Sequence, residues 1–405
     1  MPIAPISCDP TSSGRSGSAG RWLFIAHDAS NSGAPRMLLD IVRGVRAAKG
    51  ADWDCEIIFD HGGALREEFG SLGRVRVLSH PWTEGPGLHA RLLRRVGKRV
   101  PFKARRFAGW LREWQKGGDG LIYSNTGTNG QLLAAIPRGI RVVSHIHELA
   151  YGLRRFCSAR ELSATLSRTD MFLAVSSATA SDLSDLGVSN DRVARISNFV
   201  MTMPELADLT VARGEVCRRL GLPAVTRLIC GCGHADWLKG LDLFVGIANK
   251  IVRNGENPPT FLWLGGNLHR RFARTAMGKL SDAARPFVHF IGEVDDASPY
   301  FAASEVVLVP SRIENFSRVA LEAGALARPV LAFAAARGLA DLLDSDCVVS
   351  EMTESAMAAA LEALLTDPVD AALKGARLRD RIAKEFTAEK WIGEIIRTVE
   401  KVDCV

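Results

Sequence analysis

The sequence predicts an α/β protein in two halves, each a parallel sheet covered by helices on both faces. Three observations carry this. Apolar runs of strand length alternate along the chain with stretches whose apolar residues recur at helical spacing. The 405 residues are too many for one ordinary core. The 47% of apolar residues is enough to fill two cores well.

The elements follow in order. Met1–Gly20, rich in Ser, Gly and Pro, lacks the basic start and long apolar centre of a signal peptide and reads as a disordered leader, 1–20. The first half, 21–200, opens with a strand at Trp22–Ala26, a turn at Asn31–Ala34 and a helix from about Pro35. Proline suits a helix start, and Met37, Leu38, Ile41, Val42 and Val45 give the helix one apolar face. Further strands are expected at Cys55–Phe59, Val75–Leu78, Leu121–Tyr123, Arg141–His145 and Met171–Val175. A hinge around Asn198–Leu209, containing Pro204, leads into the second half, 201–385. Its strands are expected at Leu228–Cys232, Thr260–Leu264, Val288–Ile291, Glu305–Val309 and Val330–Phe333, with helices between them such as Leu241–Val252. In the last segment, 386–405, Trp391, Ile392, Ile395, Ile396 and Val399 share a helical face. No run of 18 apolar residues occurs, so no transmembrane helix is expected. The eight cysteines are scattered and complete no zinc site, which fits reduced thiols in a cytosol.

The stretch from Pro310 to Gly324 carries the most chemistry. The apolar run from Glu305 to Pro310, dominated by Val306, Val307, Leu308 and Val309, reads as a buried parallel strand, and Val319, Ala320, Leu321, Ala323 and Leu326 as a packed helix. Glu314 then lies in the loop at the carboxyl end of a strand, and Glu322 about one turn into the next helix. Open α/β sheets bind ligands at that edge, and a helix start offers N–H groups to an anion. Phosphate donors between two carboxylates suit a sugar nucleotide.

Ser311–Val330 resembles the signature of the retaining glycosyltransferases of family four, which have the GT-B fold: a Glu, seven residues, a second Glu, and Pro329-Val330 at the next strand. Phe316 matches the family, while Asn315 and Ser317 stand where glycines are frequent. The resemblance runs from about Arg21 to Val402. It implies two Rossmann-like domains facing each other across a cleft, with a final helix crossing back to the first. Ala26–Pro35 resembles the family's first strand and glycine loop, with Gly33 allowing close backbone approach to the donor. His145-Ile146-His147-Glu148 resembles its histidine–acid pair, and His147 is the residue implied to touch the donor sugar. Read on their own, His145, His147 and Glu148 also admit a metal site, but the family works without a catalytic metal and none is assigned. Asn198, in Ile196-Ser197-Asn198, reads as a turn former. Gly231–Gly240 resembles the family's Gly-Arg, loop, Lys-Gly segment, so Lys239 is implied to hold the donor diphosphate. His234 replaces the usual Arg and leaves half of the cationic pair missing or weakened; Arg312 or Arg318 would be substitutes. Gly265-Gly266 resembles the nucleotide-side turn, and Glu293 is placed near the base.

The resemblance thus implies transfer of a hexose from a nucleotide diphosphate sugar, a co-substrate with no further cofactor, to a saccharide or lipid-linked acceptor, as in cell-surface polysaccharide assembly. Glu314 would orient sugar hydroxyls, Glu322 the ribose, and Lys239 with the N–H groups at Phe316 and Ser317 the leaving group. The donor phosphate takes the acceptor's proton, so no side-chain base is assigned. A non-catalytic carbohydrate-binding protein or a sugar-nucleotide epimerase on the same fold is the alternative. From His89 to Lys116 ten basic residues face one acid, Glu113, with aromatic residues interleaved. That pattern fits either an anionic membrane surface, placing the chain in the cytoplasm at the inner face of the membrane, or a solvated helical face. Without a recognition motif it does not indicate nucleic acid.

Overall fold

The computed structural model describes residues 20–79, 102–255 and 257–403. Nearly all of the leader, and positions 89–101 of the basic run, lie outside the described residues. The chain divides into two compact units: one runs to Ile196 and takes in the chain from Trp391 onward, the other is Ser197–Lys390.

The first unit holds seven parallel strands: β1 (Arg21–Ala26), β2 (Cys55–Phe59), β3 (Arg74–Val77), β4 (Gly120–Ser124), β5 (Arg141–Ile146), β6 (Met171–Ala174) and β7 (Val193–Arg195). Their order is β3-β2-β1-β4-β5-β6-β7, so the winding reverses between β1 and β4. Leu23, Phe24 and Ile25 are all fully buried, because helices cover both faces of the sheet. The helices used below are α1 (Gly33–Lys49), α2 (Arg66–Gly70) and α3 (Phe102–Gln115).

α3 is the described part of the basic segment. Its Phe107, Leu111 and Trp114 are buried in a cluster with Leu23, Ile25, Ile58 and Ile122. This corrects the membrane reading for these residues: their apolar side is a core face of the first unit and is not free to enter a bilayer. Arg105, Arg112 and Lys116 are exposed, whereas Lys103 ion-pairs with Asp60 at 2.6 Å. The C-terminal helix, Ala388–Asp403, buries Trp391, Ile392, Ile395 and Val399. Its Ile392 side chain comes within 2.6 Å of where a Cβ on Gly44 would stand, so the glycine lets this helix close on α1. Lys49 and Glu400 pair across the same contact at 2.9 Å.

The second unit holds six parallel strands: β8 (Leu228–Cys232), β9 (Thr260–Leu264), β10 (Val288–Gly292), β11 (Val306–Val309), β12 (Val330–Phe333) and β13 (Val348–Val349), in the order β10-β9-β8-β11-β12-β13. The reversal lies between β8 and β11. Glu305 falls outside β11; its carboxylate is held by Arg213 at 2.9 Å and Arg227 at 2.7 Å. Helices α4 (Leu241–Asn254) and α5 (Arg318–Ala325) follow β8 and β11. β7 and β13, only three and two residues long, are not foreseen by periodicity. Among the described residues no helix is long and apolar enough to cross a membrane.

Candidate active site

In the second unit the reversal sets the loops after β8 and β11 side by side. Gly240 fixes their approach. Its φ is +73°, and a Cβ there would lie 2.1 Å from the Pro310 carbonyl oxygen, so only glycine serves. The Lys239 Nζ donates to Glu314 Oε2 at 2.7 Å, and Ser311 Oγ donates to the same oxygen at 3.0 Å. Glu314 is 8% exposed. Both bonds fall on Oε2 and leave Oε1 for a further donor. An ammonium carries three N–H donors, so Lys239 keeps two beyond the one given to Glu314.

α5 starts directly after this loop. The Ser317 hydroxyl caps it by accepting from the Ala320 N–H at 3.3 Å. The N–H groups of Arg318 and Val319, in the first turn, are not taken by that cap. Glu322, one turn in, accepts from Arg318 at 2.8 and 3.1 Å. Asn315 and Ser317 cost the loop nothing in place of glycine: among described non-glycine residues only Ala327 has a positive φ. The Phe316 ring packs on Phe386, with centroids 5.4 Å apart. Gly265 (φ +92°) turns back against this region, where a Cβ would meet the Gly233 carbonyl oxygen at 2.9 Å.

The missing arginine is not replaced by a free cation. His234 is exposed on the loop after β8. Arg312 makes a two-point bond to Asp242, 2.8 Å on each side, donates to the Trp237 carbonyl and lies 4.8 Å from the Trp237 ring centroid. Arg318 is held by Glu322. Glu293 is exposed beyond the edge strand β10.

Asn198, expected to be a turn former, has a larger part. It is buried, and its Nδ2 donates to the Phe316 carbonyl at 3.2 Å, so it braces the loop carrying Glu314. Its Oδ1 is buried without a partner among the described residues. Ser311 likewise went unread. Ser311 comes just after an apolar strand run, at the sheet edge where ligands bind, which is the signal that marked it.

In the first unit, polar side chains gather where β1, β2, β4 and β5 end. Asn125 Nδ2 donates to the Ala34 carbonyl at 3.0 Å, so its Oδ1 accepts. His147 Nε2, 3.1 Å from that Oδ1, therefore carries the proton, and Nδ1 keeps its lone pair. Burial, reinforced by His145 and His27, holds His147 well below the usual 6.5, so it is neutral at neutral pH. The rings of His145 and His147 lie on one side of β5, centroids 4.4 Å apart. His145 is fully engaged, with Nδ1 2.8 Å from the Tyr123 hydroxyl and Nε2 3.3 Å from the Ile196 carbonyl, and burial lowers it to about 4. Glu148 accepts from Thr126 Oγ1 and from the Gly127 N–H at 3.0 Å. These bonds leave no open set of metal ligands, and no cluster of three metal-ligating side chains occurs among the described residues.

Gly33 is the first residue of α1 and does not have a positive φ, so this turn does not depend on glycine for its backbone angle. The preceding pair is more telling: His27 Nε2 lies 2.8 Å from Asp28 Oδ2, and Asp28 Oδ1 accepts from the Ser30 N–H at 3.0 Å. Burial pulls His27 down, but the Asp28 carboxylate, with Glu148 and Asp60, outweighs it and raises the imidazole. Burial opposes ionisation of Asp28 too, yet bonding to His27 and Ser30 lowers it to about 2.

Two family models match, Glycosyltransferase Family 4 over residues 31–202 and Glycosyl transferases group 1 over residues 226–367. Curated relatives are named D-inositol 3-phosphate glycosyltransferase. The protein from Xylanimonas cellulosilytica is 32% identical over 211 residues, 49% of each chain, and that from Kineococcus radiotolerans 31% over 201 residues, 44% of this chain and 45% of that one. The matched region spans about half the length of these relatives. Among solved structures, Anabaena HepE in complex with UDP and glucose superposes with a TM-score of 0.75 at 17% identity, covering 94% of this chain and 99% of that one. Sucrose-phosphate synthase from Thermosynechococcus elongatus gives 0.74 at 19%, covering 95% and 99%. At such identities the likeness is one of fold, and the fold is GT-B. The two family models between them take in most of both units, and the chain belongs to the family 4, group 1 glycosyltransferases.

Proposed function

We propose that this protein transfers a hexose, with retention, from a nucleotide diphosphate sugar to a saccharide or lipid-linked acceptor, in the cytoplasm and in the service of cell-surface polysaccharide assembly. The observation that carries the reading is the Lys239–Glu314 pair at the β8/β11 reversal, beside the start of α5. The names of the relatives and the UDP and glucose held by HepE support the same chemistry.

In this account the two spare N–H donors of Lys239 and the first N–H groups of α5 receive the diphosphate. They stabilise the charge that grows as the glycosidic bond breaks. Glu314 Oε1 accepts from a sugar hydroxyl. Glu322 exchanges Arg318 for the ribose hydroxyls, which frees the guanidinium for phosphate. His147, neutral and with Nδ1 open, accepts from a hydroxyl of the transferred sugar. The leaving phosphate oxygen takes the acceptor's proton, so no strong side-chain base is required. The nucleotide sugar is the co-substrate, and the account uses no metal. Attachment to an anionic membrane through the described basic residues is electrostatic and runs through the exposed Arg105, Arg112 and Lys116.

One observation favours the alternative of a binding protein without turnover. Lys239, Arg312 and Arg318 are each paired with a carboxylate, and an exposed His234 stands where an arginine was expected. Slow hydrolysis of UDP-glucose, GDP-mannose and ADP-glucose separates the two. A transferase releases nucleoside diphosphate from at least one of these, and Glu314→Gln slows that release. Binding of a nucleotide sugar with no release over long incubation would support the binding protein.

A further inference from the structure

A cavity of about 400 Å³ opens on the first unit, along the edge strand β3. It falls within the ~300–1,000 Å³ range of small-molecule sites. Arg66 from α2, Arg74 and Arg76 from β3, and Arg106 from α3 line it, with Trp110 and Ser79. Arg76 and Arg106 lie 5.2 and 4.6 Å from the Trp110 ring centroid, so the indole sets two guanidinium planes at the wall.

Charge decides what the cavity suits. Glu113 pairs with Arg74 at 3.3 Å and Arg76 at 3.0 Å, and Glu56 also holds Arg76. Four guanidiniums therefore meet two carboxylates. Arg106 donates to the Leu78 carbonyl at 3.2 Å, and neither it nor Arg66 has a carboxylate partner among the described residues. Charge on an edge strand also guards against stray strand pairing, which would explain Arg74 and Arg76. It does not explain Arg66 and Arg106, which come from two helices and meet in the same hollow. A surplus of about two positive charges matches a phosphate monoester, which carries roughly −1.5 to −2 at neutral pH, better than a single carboxylate. Guanidinium forks fit phosphate oxygens two at a time. Val75 and Val77 give the apolar wall that the C–H face of a sugar ring needs.

We propose that this cavity is an acceptor subsite that holds a sugar bearing a phosphate monoester, with Arg66 and Arg106 as the principal phosphate ligands. The proposal rests on the transferase reading, since the phosphate would belong to the acceptor. A hollow of about 400 Å³ is the size of a discrete phosphosugar, whereas a lipid headgroup layer calls for a flat face.

The test is calorimetric titration of the full chain, without donor, using glucose 6-phosphate, glucose and inorganic phosphate. Glucose 6-phosphate should bind, glucose should bind at least tenfold more weakly, and added salt and inorganic phosphate should both oppose binding. Arg66→Gln and Arg106→Gln should each weaken glucose 6-phosphate by about tenfold, and Arg66→Lys should recover part of the loss. UDP affinity should stay constant in every variant, which also shows that the chain is folded. Equal binding of glucose and glucose 6-phosphate, or wild-type affinity in the double variant, overturns the proposal. So does binding only to phosphatidylglycerol vesicles, since the anion is then a headgroup. Failure of UDP binding in the wild type would count against the donor site and the transferase reading while leaving the phosphate titration to stand or fall separately.

Discussion

Lys239 and Glu314 form a pair in which each side chain serves two masters. The ammonium is about one-third exposed and the carboxylate nearly buried. Removing the lysine takes a cation from the diphosphate and leaves a buried acid with only Ser311. Lys239→Met should therefore weaken nucleoside diphosphate binding by on the order of 1.5–3 kcal/mol, and Glu322→Ala should do the same through the ribose. Glu314→Gln should separate binding from chemistry. It keeps the Ser311 contact and releases Lys239, so nucleotide affinity should hold or rise while turnover falls. Titration of UDP against these three variants, beside their hydrolysis rates, checks the assignments. Equal loss of UDP affinity in all three would mean that they act through folding alone.

At the scale of the element, two local devices hold the site. Ser317→Ala removes the α5 cap and should cost about 1 kcal/mol of stability, read as a lower thermal midpoint. Gly240→Ala should cost more, because a Cβ would collide with the Pro310 carbonyl and the backbone there is left-handed. A variant of Gly240 as stable as wild type would contradict the packing described. The end of β5 sets a pH limit. His145 is neutral in the fold down to about pH 4, whereas the unfolded chain takes up a proton near 6.5. Its contribution to stability is thus complete above 6.5 and is lost as pH falls towards 4, by up to about 3 kcal/mol. His27 acts in the opposite sense, since its raised value favours the fold below 6.5 and fades as pH rises. Asp28 adds an acid loss lower down, between 3.8 and about 2. His147, also held well below 6.5, adds a loss in the same sense; thermal melts from pH 7.5 to 4.5 should show the decline, and His145→Asn should make it shallower without abolishing it.

The sequence made the strands legible because parallel strands buried on both faces are continuous apolar runs; β8, β9 and β12 lie where their residues put them. It hid β7 and β13, which are too short for any period. The loop at Glu314 was readable from its place between a strand and a helix. The partners of its residues were not, because Asn198 and Phe316 stand far apart in the chain and meet only in the fold. The basic segment misled for a related reason: Phe107, Leu111 and Trp114 show the same amphipathic pattern whether they face lipid or a core.

For the whole molecule, the two units carry separable sets of groups. Lys239, Glu314, Glu322 and the α5 start lie in Ser197–Lys390, whereas His27, His147 and the arginine cavity lie in the other unit. Nucleotide affinity should thus be insensitive to Arg66 and Arg106, and phosphosugar affinity insensitive to Lys239. The measurement that bears most directly on the central claim is titration of the full chain with UDP, GDP and ADP, in wild type and in Lys239→Met. Saturable binding of at least one diphosphate by the wild type, weakened at least tenfold in the variant with the fold intact, is the expected result. No binding of any of the three, or equal affinity in both proteins, would contradict the account.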